Sequence, residues 1–267
     1  MGCILAHIFR VMHTWLLVFS FTLTEIVCVG QHINAHAHND YEHDRPLFEA
    51  LENGFVSIEA DVHLVNGRIL VAHDHPTSTS RTLEDLYLKP LDSIARINGG
   101  KIYRQKDVTV QLMIDIKTDG IETFNVLHPL LSKYAEAIDS REHNGSFRVF
   151  ISGNRAFELI RNDPQHLSSI DGRPEDLGKG FTEDEMPVIS ENYKKIITWN
   201  GKGSPTKQDL NKLTELVSKV HAENKKLRLW AIPDHENAWS VLLQAGVDFI
   251  NTDKLKELNV FLTTKKL

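Results

Sequence analysis

Cysteine is nearly missing from this chain of 267 residues. Its two cysteines, Cys3 and Cys28, both lie close to the amino terminus. A mature chain that begins near Gln31 would contain none. This excludes a disulfide-stapled fold and leaves the hydrophobic core to hold the chain together.

The chain also lacks a long apolar run. Its most apolar segment, Trp15–Leu23, spans about ten residues, whereas crossing a bilayer takes roughly twenty. The basic residue Arg10 precedes this run, and small residues follow it as far as Gly30. This order predicts a secretory signal peptide at residues 1–30 and a single exported domain, secreted or periplasmic, at residues 31–267. A transmembrane anchor is the weaker alternative.

An excess of basic charge is absent as well. The sequence has 30 Lys and Arg against 36 Asp and Glu, and the lysines are scattered rather than gathered in a stripe. Nucleic-acid binding relies on dense positive charge facing the phosphates. We therefore expect no nucleic-acid partner, and the sequence gives no sign of the oligomeric state.

What the sequence does contain is a regular alternation of strand-like and helix-like segments. Eight short segments are rich in apolar and β-branched residues, with polar helical stretches between most of them: His32–His38, Phe55–Asp61, Val108–Lys117, Phe147–Ser152, Ser168–Asp171, Ile196–Asn200, Leu227–Ile232 and Phe249–Thr252. Strands that alternate with helices imply a parallel sheet. Eight such units in this length predict an α/β fold, a single-domain (β/α)₈ TIM barrel. An open doubly wound sheet is the alternative, and the acidic segment Gly178–Tyr193 is predicted to be a solvated loop.

Polar pairs stand at the carboxyl ends of three predicted strands. They are His36 and His38, Glu59 and Asp61, and Asp115 and Lys117. Residues two apart on a strand point to the same side, and a barrel carries its active site on this rim. Carboxylates are hard ligands suited to Ca²⁺ or Mg²⁺, and a lysine beside them suits an anionic substrate such as a phosphate. One such pair alone usually marks a solvent-facing strand, but their coincidence indicates an active site.

A hairpin signal follows the second strand. Asn66-Gly67 joins two apolar runs and brings His73 back toward Asp61. An ideal two-residue turn would pair His73 with Ala60, on the face opposite Asp61. A bulge or a longer loop must correct this register if His73 is to share the site.

The motifs "AHAHND", "EADVHLVNGRILVAHDH", "IDIK" and "LWAIPDHENAWSVLLQAGVDFINTD" resemble the superfamily of phospholipase C-like phosphodiesterases, which share a TIM barrel. The resemblance is to glycerophosphodiester phosphodiesterases and most of all to the altered inheritance of mitochondria protein 6-like branch. It implies that His38 and His73 are catalytic. It further implies metal ligands at four positions: Glu59, Asp61, Asp115 and Asn39. Asp115 departs from the Glu of the glycerophosphodiesterase pattern, as it does in sphingomyelinase D-like phospholipases.

The resemblance implies a metal-dependent phosphoric diester hydrolase with one divalent cation, Ca²⁺ or Mg²⁺. Its substrate would be a small glycerophosphodiester or a phospholipid head group, with at most peripheral membrane contact. His38 would activate the attacking group and His73 would protonate the leaving alcohol, with the reverse order open. Three residues are candidates for substrate binding: Lys117, Arg173 and Trp230. The alternatives are a catalytically inactive barrel that binds a phosphorylated ligand and, with less support, a metal-dependent amidohydrolase.

Overall fold

A computed structural model describes residues 32–104 and 108–264, so the predicted signal peptide lies outside the described residues. Within that part of the chain the strands are β1 (His32–Ala37), β2 (Phe55–Val65), β3 (Arg68–Val71), β4 (Val110–Ile116), β5 (Phe147–Gly153), β6 (Ser169–Gly172), β7 (Val188–Asn192), β8 (Lys226–Trp230) and β9 (Phe249–Thr252). All of them except β3 are parallel and close into an eight-stranded barrel, because β1 pairs with both β9 and β2. The predicted (β/α)₈ TIM barrel is confirmed.

Helices occupy most of the connections between the barrel strands, and one follows the last strand. They are α1 (Phe48–Glu52), α2 (Lys89–Ile97), α3 (Gly120–Ser132), α4 (Phe157–Arg161), α5 (Tyr193–Ile196), α6 (Lys207–His221), α7 (Glu236–Gln244) and α8 (Leu255–Thr264). The longest helix, α6, begins where the side chain of Thr206 accepts a hydrogen bond from the amide of Asp209. Among the helices of the described residues, none has both the length and the apolar composition needed to cross a bilayer.

The second strand is longer than its barrel neighbours and pairs with two different strands along one edge. Its first part, Phe55–Ile58, pairs with β1, and its last part, Val62–Val65, pairs with the antiparallel β3. The turn between β2 and β3 has positive φ at both Asn66 and Gly67, as a tight two-residue hairpin requires. The β2–β3 hairpin therefore extends one wall of the barrel beyond its carboxyl rim.

One predicted strand was wrong. The sixth barrel strand is β7, Val188–Asn192, whereas the predicted strand Ile196–Asn200 follows the short helix α5. The acidic segment Gly178–Tyr193 is likewise not a solvated loop throughout, because it contains this buried strand. The reason is local. Asn192 accepts a hydrogen bond from the amide of Lys194 and so caps α5, which ends β7 at this residue. The apolar side chains of Ile197 and Trp199 are buried in the core outside a strand.

The interior of the barrel has an apolar floor and a polar upper layer. Its floor is a separate cluster of four buried side chains, Met113, Phe150, Val188 and Phe249. Because alternate residues of a strand face the same way, the positions two further along these strands point into the barrel above this floor. Those positions are occupied by Asp115, Ser152, Ser190 and Asn251. The floor closes the barrel from one end, so the polar layer faces the carboxyl rim.

Candidate active site

The three predicted carboxylate ligands come together on the inner face of the rim. Glu59 and Asp61 lie on β2, and Asp115 lies on the neighbouring β4, directly beside Asp61 in the parallel register. One side-chain oxygen of each lies within 4.8 Å of those of the others. Adjacent parallel strands with polar residues at matching positions are thus sufficient to build this cluster.

Lys117 lies between two of these carboxylates. Its Nζ is 3.0 Å from Asp61 Oδ2 and 3.2 Å from Asp115 Oδ2. Burial and the negative charge of Glu59 raise the pKa of Asp115 to about 6, and the charge of Lys117 opposes that rise. The ammonium therefore offsets part of the repulsion among the acidic side chains.

The deepest carboxylate, Glu59, is held by two further side chains. His36 Nε2 donates to Glu59 Oε2 at 2.9 Å, and Arg228 on β8 donates to the same oxygen. Burial alone would raise the pKa of Glu59, but the charge of Arg228 and the hydrogen bond from His36 lower it well below its ordinary value. Burial lowers the pKa of His36 to about 4, so this histidine is neutral and its Nδ1 accepts from the hydroxyl of Ser57. Between the two roles considered for His36, its position supports the structural one.

His38 forms a pair with an aspartate that follows the last barrel strand. Its Nδ1 lies 2.7 Å from Asp253 Oδ1. Burial alone would lower the pKa of His38, but the hydrogen bond to Asp253 and the charge of Glu59 raise it above its ordinary value. Asp253 is itself held, because its amide donates to Asp234 Oδ2 at 3.3 Å.

His73 reaches the same rim from the hairpin. The β2–β3 ladder is regular from Val65 and Arg68 to Val62 and Val71, so it contains no bulge. The strand simply ends at Val71, and the chain beyond it turns so that His73 Nδ1 lies 3.2 Å from Asp61 Oδ2. The expected need for a bulge or a longer loop was therefore wrong, although His73 does join the site.

Tyr41 connects His73 to Asn39. Its hydroxyl donates to Asn39 Oδ1 at 2.9 Å, and the same oxygen lies 3.2 Å from His73 Nδ1. Burial and the charge of Asp61 raise the pKa of Tyr41, so the phenol stays protonated. Since its single proton is given to Asn39, the phenol oxygen accepts from His73.

Asn39 itself adopts a left-handed conformation with φ 49°, which asparagine tolerates better than most residues. The next residue, Asp40, is fully buried and accepts from the amide of Leu47 at 2.6 Å and from the hydroxyl of Tyr87 at 2.9 Å. The buried carboxylate of Asp40 thus fixes the tight turn after β1. This turn places His38, Asn39 and Tyr41 at the rim.

The two remaining substrate-binding candidates lie elsewhere on the rim. Arg173 follows β6, and its guanidinium donates to Asp171 Oδ2 at 2.8 Å. Trp230 ends β8 opposite Asn192, and 37% of its surface is exposed. Both are at the carboxyl face, as expected.

Sequence reasoning missed three residues of the site: Arg228, Asp253 and Tyr41. Asp253 closes the quoted motif "GVDFINTD", so its position after the last strand was a usable signal. An arginine within the apolar strand "KLRLW" was also a signal, because a buried cation needs a buried partner. Tyr41 gave no comparable signal in the sequence.

The donor set fits a hard divalent cation. Three carboxylates within mutual reach supply the oxygen ligands that Mg²⁺ and Ca²⁺ take in proteins. Two cationic side chains against these three carboxylates leave one negative charge at the centre, which a cation would offset.

Fold and site together define a phosphodiesterase-like (β/α)₈ barrel with a carboxylate cluster and two histidines at its rim. The family model described as the AIM6-like phosphodiesterase domain matches residues 24–168, more than half of the chain. A model of the glycerophosphoryl diester phosphodiesterase family matches residues 226–256, which contain Arg228 and Asp253. The chain belongs to the AIM6-like phosphodiesterase family.

Several fungal relatives are named altered inheritance of mitochondria protein 6. Altered inheritance of mitochondria protein 6 from Saccharomyces cerevisiae strain S288c is 35% identical over 270 residues, covering 82% of this chain and 68% of that protein. The Eremothecium gossypii protein of this name is 27% identical, covering 85% of this chain and 68% of its own length. Among solved structures, a glycerophosphodiester phosphodiesterase from Agrobacterium tumefaciens is 10% identical with a TM-score of 0.44, covering 87% of this chain and 96% of that one.

Proposed function

We propose that this protein is a metal-dependent phosphoric diester hydrolase that cleaves a glycerophosphodiester or a phospholipid head group. One observation carries the proposal. Both rim histidines lie near the carboxylate cluster, and each is bound to a carboxylate through Nδ1: His38 to Asp253 and His73 to Asp61. Within the described residues, this leaves Nε2 of each ring as the nitrogen without a hydrogen bond, and therefore as the one that can exchange a proton with a substrate.

Two histidines in complementary states suit the cleavage of a phosphate ester. We assign His38 to take the proton from the attacking water or hydroxyl, since the carboxylate of Asp253 stabilises the imidazolium that forms. His73 then gives a proton to the oxygen of the departing alcohol, because an alkoxide leaves poorly at neutral pH. The P–O bond to the leaving group breaks as the bond from the attacking oxygen forms.

Charge around the reacting phosphate comes from Lys117 and the carboxylate cluster. Glu59, Asp61 and Asp115 would hold the cation, and a bound divalent cation would offset negative charge on the phosphate oxygens. Lys117 has 30% of its side chain exposed, so it can turn from the carboxylates toward a phosphate. Arg173 and Trp230 lie further along the rim, where they would contact the group attached to the phosphate.

The proposal is tested with a panel of phosphodiesters: glycerophosphocholine, glycerophosphoinositol, phosphatidylinositol and sphingomyelin. Purified protein is incubated with each in Mg²⁺, in Ca²⁺ and in a chelator, and the products are identified by mass. A His38→Ala protein prepared in the same way controls for contaminating enzymes. We expect cation-dependent cleavage of at least one member. If no member is cleaved although the protein binds the cation, the inactive phosphate-binding barrel becomes the better account.

A further inference from the structure

Each of the three carboxylates already has one oxygen engaged by a cationic or histidine side chain. Glu59 Oε2 accepts from His36 and Arg228, and Asp61 Oδ2 accepts from Lys117 and His73. Asp115 Oδ2 lies 3.2 Å from Lys117. Glu59 Oε2 and Asp61 Oδ2 each have two donors, so a cation could chelate either carboxylate with both oxygens only by displacing one of them.

The donors to Glu59 are the ones that cannot move away. The side chains of Glu59 and Arg228 are 5% and 4% exposed, and that of His36 is fully buried. Arg228 is fixed a second time, because its Nε donates to Asn251 Oδ1 at 2.9 Å on the neighbouring strand β9. Lys117, by contrast, is partly exposed and can leave Asp61 and Asp115 when a phosphate arrives. Glu59 is thus permanently limited to one free oxygen.

The two candidate cations differ in how they use carboxylates. Ca²⁺ takes six to eight oxygens and often chelates a carboxylate with both of its oxygens. Mg²⁺ takes six at shorter distances, uses one oxygen from one or two carboxylates, and completes its shell with water and substrate phosphate.

We propose that this site selects Mg²⁺ over Ca²⁺, and that Arg228 determines the selection by holding Glu59 to a single available oxygen. This inference rests on the proposed function, since it concerns the cation of the same centre. Arg228 also contributes a fixed positive charge beside the cluster, which weakens cation binding as a whole.

The test is direct cation binding, measured without substrate. Calorimetric titration of chelator-treated protein with MgCl₂ and with CaCl₂ gives the two dissociation constants. We expect Mg²⁺ to bind about tenfold tighter than Ca²⁺. In Arg228→Met, Glu59 Oε2 keeps only the hydrogen bond from His36 and gains a free lone pair for a cation. Ca²⁺ binding should therefore tighten by about tenfold or more, and the preference should shrink or reverse.

Two further variants keep the test decisive. Arg228→Lys retains the charge but loses the planar guanidinium, and it is measured in case the methionine variant does not fold. Arg148→Met removes an arginine that pairs with Asp139 near the start of β5, away from the carboxyl rim, and it should leave both constants unchanged. Equal or tighter Ca²⁺ binding by the unaltered protein overturns the inference, as does an unchanged preference in folded Arg228 variants. Failure to bind either cation would instead count against the metal centre of the proposed function.

Discussion

The two rim histidines have different partners and different exposure. His38 is paired with Asp253, and 29% of its side chain is exposed. His73 lies at the end of the hairpin with 53% of its side chain exposed, and it contacts both Asp61 and Tyr41. Neither ring is needed to fill the core, so removing either should affect chemistry more than stability.

Replacing either histidine by alanine should lower kcat by about 10²–10⁴-fold, the usual contribution of general acid or base catalysis. The melting temperature should change little. His143→Ala, at a surface position away from the rim, is the matched control and should keep full activity. Near-normal turnover in His38→Ala or His73→Ala would remove that histidine from the mechanism.

Asp253 should act through the pKa of His38. Its hydrogen bond and charge raise that pKa against the opposing effect of burial. If neutral His38 is the base, the acid limb of kcat/KM follows this pKa. Asp253→Asn should therefore move the acid limb to lower pH and also reduce the maximal rate, because the ring is held less firmly.

The readout for this prediction is a pH profile of kcat/KM. Asp44→Asn makes the same change of charge at an exposed position near the same turn, and it should leave the profile in place. An acid limb that stays where it was in Asp253→Asn would show that His38 is not the group that titrates there.

At the scale of single residues, the acidic cluster, Lys117 and His38 were predicted from polar pairs at strand ends, which are visible as a pattern. His73 was predicted from the hairpin and the family resemblance. Arg228 and Tyr41 were not predicted. Arg228 meets Glu59 across the barrel, through a separation of 169 residues. Such a contact depends on closure of the sheet, and a local pattern does not contain it.

Among the elements, the end of β5 requires glycine at one position. Gly153 has φ 69°, in the left-handed region, and a Cβ there would overlap Asp115 Oδ1 and the carbonyl oxygen of Ile116. Glycine at the end of β5 thus allows the Asp115 carboxylate to approach the neighbouring strand.

Two glycine substitutions separate the cost of backbone strain from the cost of steric overlap. Gly67 in the hairpin turn has a similar φ of 73°, but no atom lies within 4 Å of the position that a Cβ would take. Gly67→Ala should therefore cost about 1 kcal/mol of unfolding free energy from backbone strain alone. Gly153→Ala adds the overlap with Asp115, so it should cost at least about 2 kcal/mol. Chemical denaturation of both variants measures the difference, and equal losses would show that the Asp115 contact places no demand on this position.

The error in the sixth barrel strand shows the limit of pattern recognition for elements. Val188–Asn192 contains two aliphatic residues followed by polar ones, and it lies in an acidic neighbourhood. The segment that follows α5 has a more strand-like composition, with Ile197 and Trp199, yet it lies outside the barrel. Val188–Asn192 is the barrel strand because it pairs with β6 and β8. Such pairing involves distant parts of the chain, so the local composition does not predict it.

For the whole molecule, the number of strand–helix units and the length of the chain were enough to predict a closed barrel. The apolar floor and the polar rim follow from the alternation of side chains along its strands. Export stays a prediction, because it rests on residues 1–30, which lie outside the described residues. The absence of cysteine after Cys28 agrees with a fold that relies on its core.

The central claim is that a cation held by the carboxylate cluster supports phosphodiester cleavage. Its most direct test is turnover of the best panel substrate by chelator-treated protein, followed by stepwise return of Mg²⁺ or Ca²⁺, with Asp61→Asn measured alongside. Activity should fall to background after chelation and return with the cation in the unaltered protein, while Asp61→Asn should need far more cation or stay inactive. Full turnover in the presence of chelator, or an unchanged cation requirement in Asp61→Asn, would contradict the account.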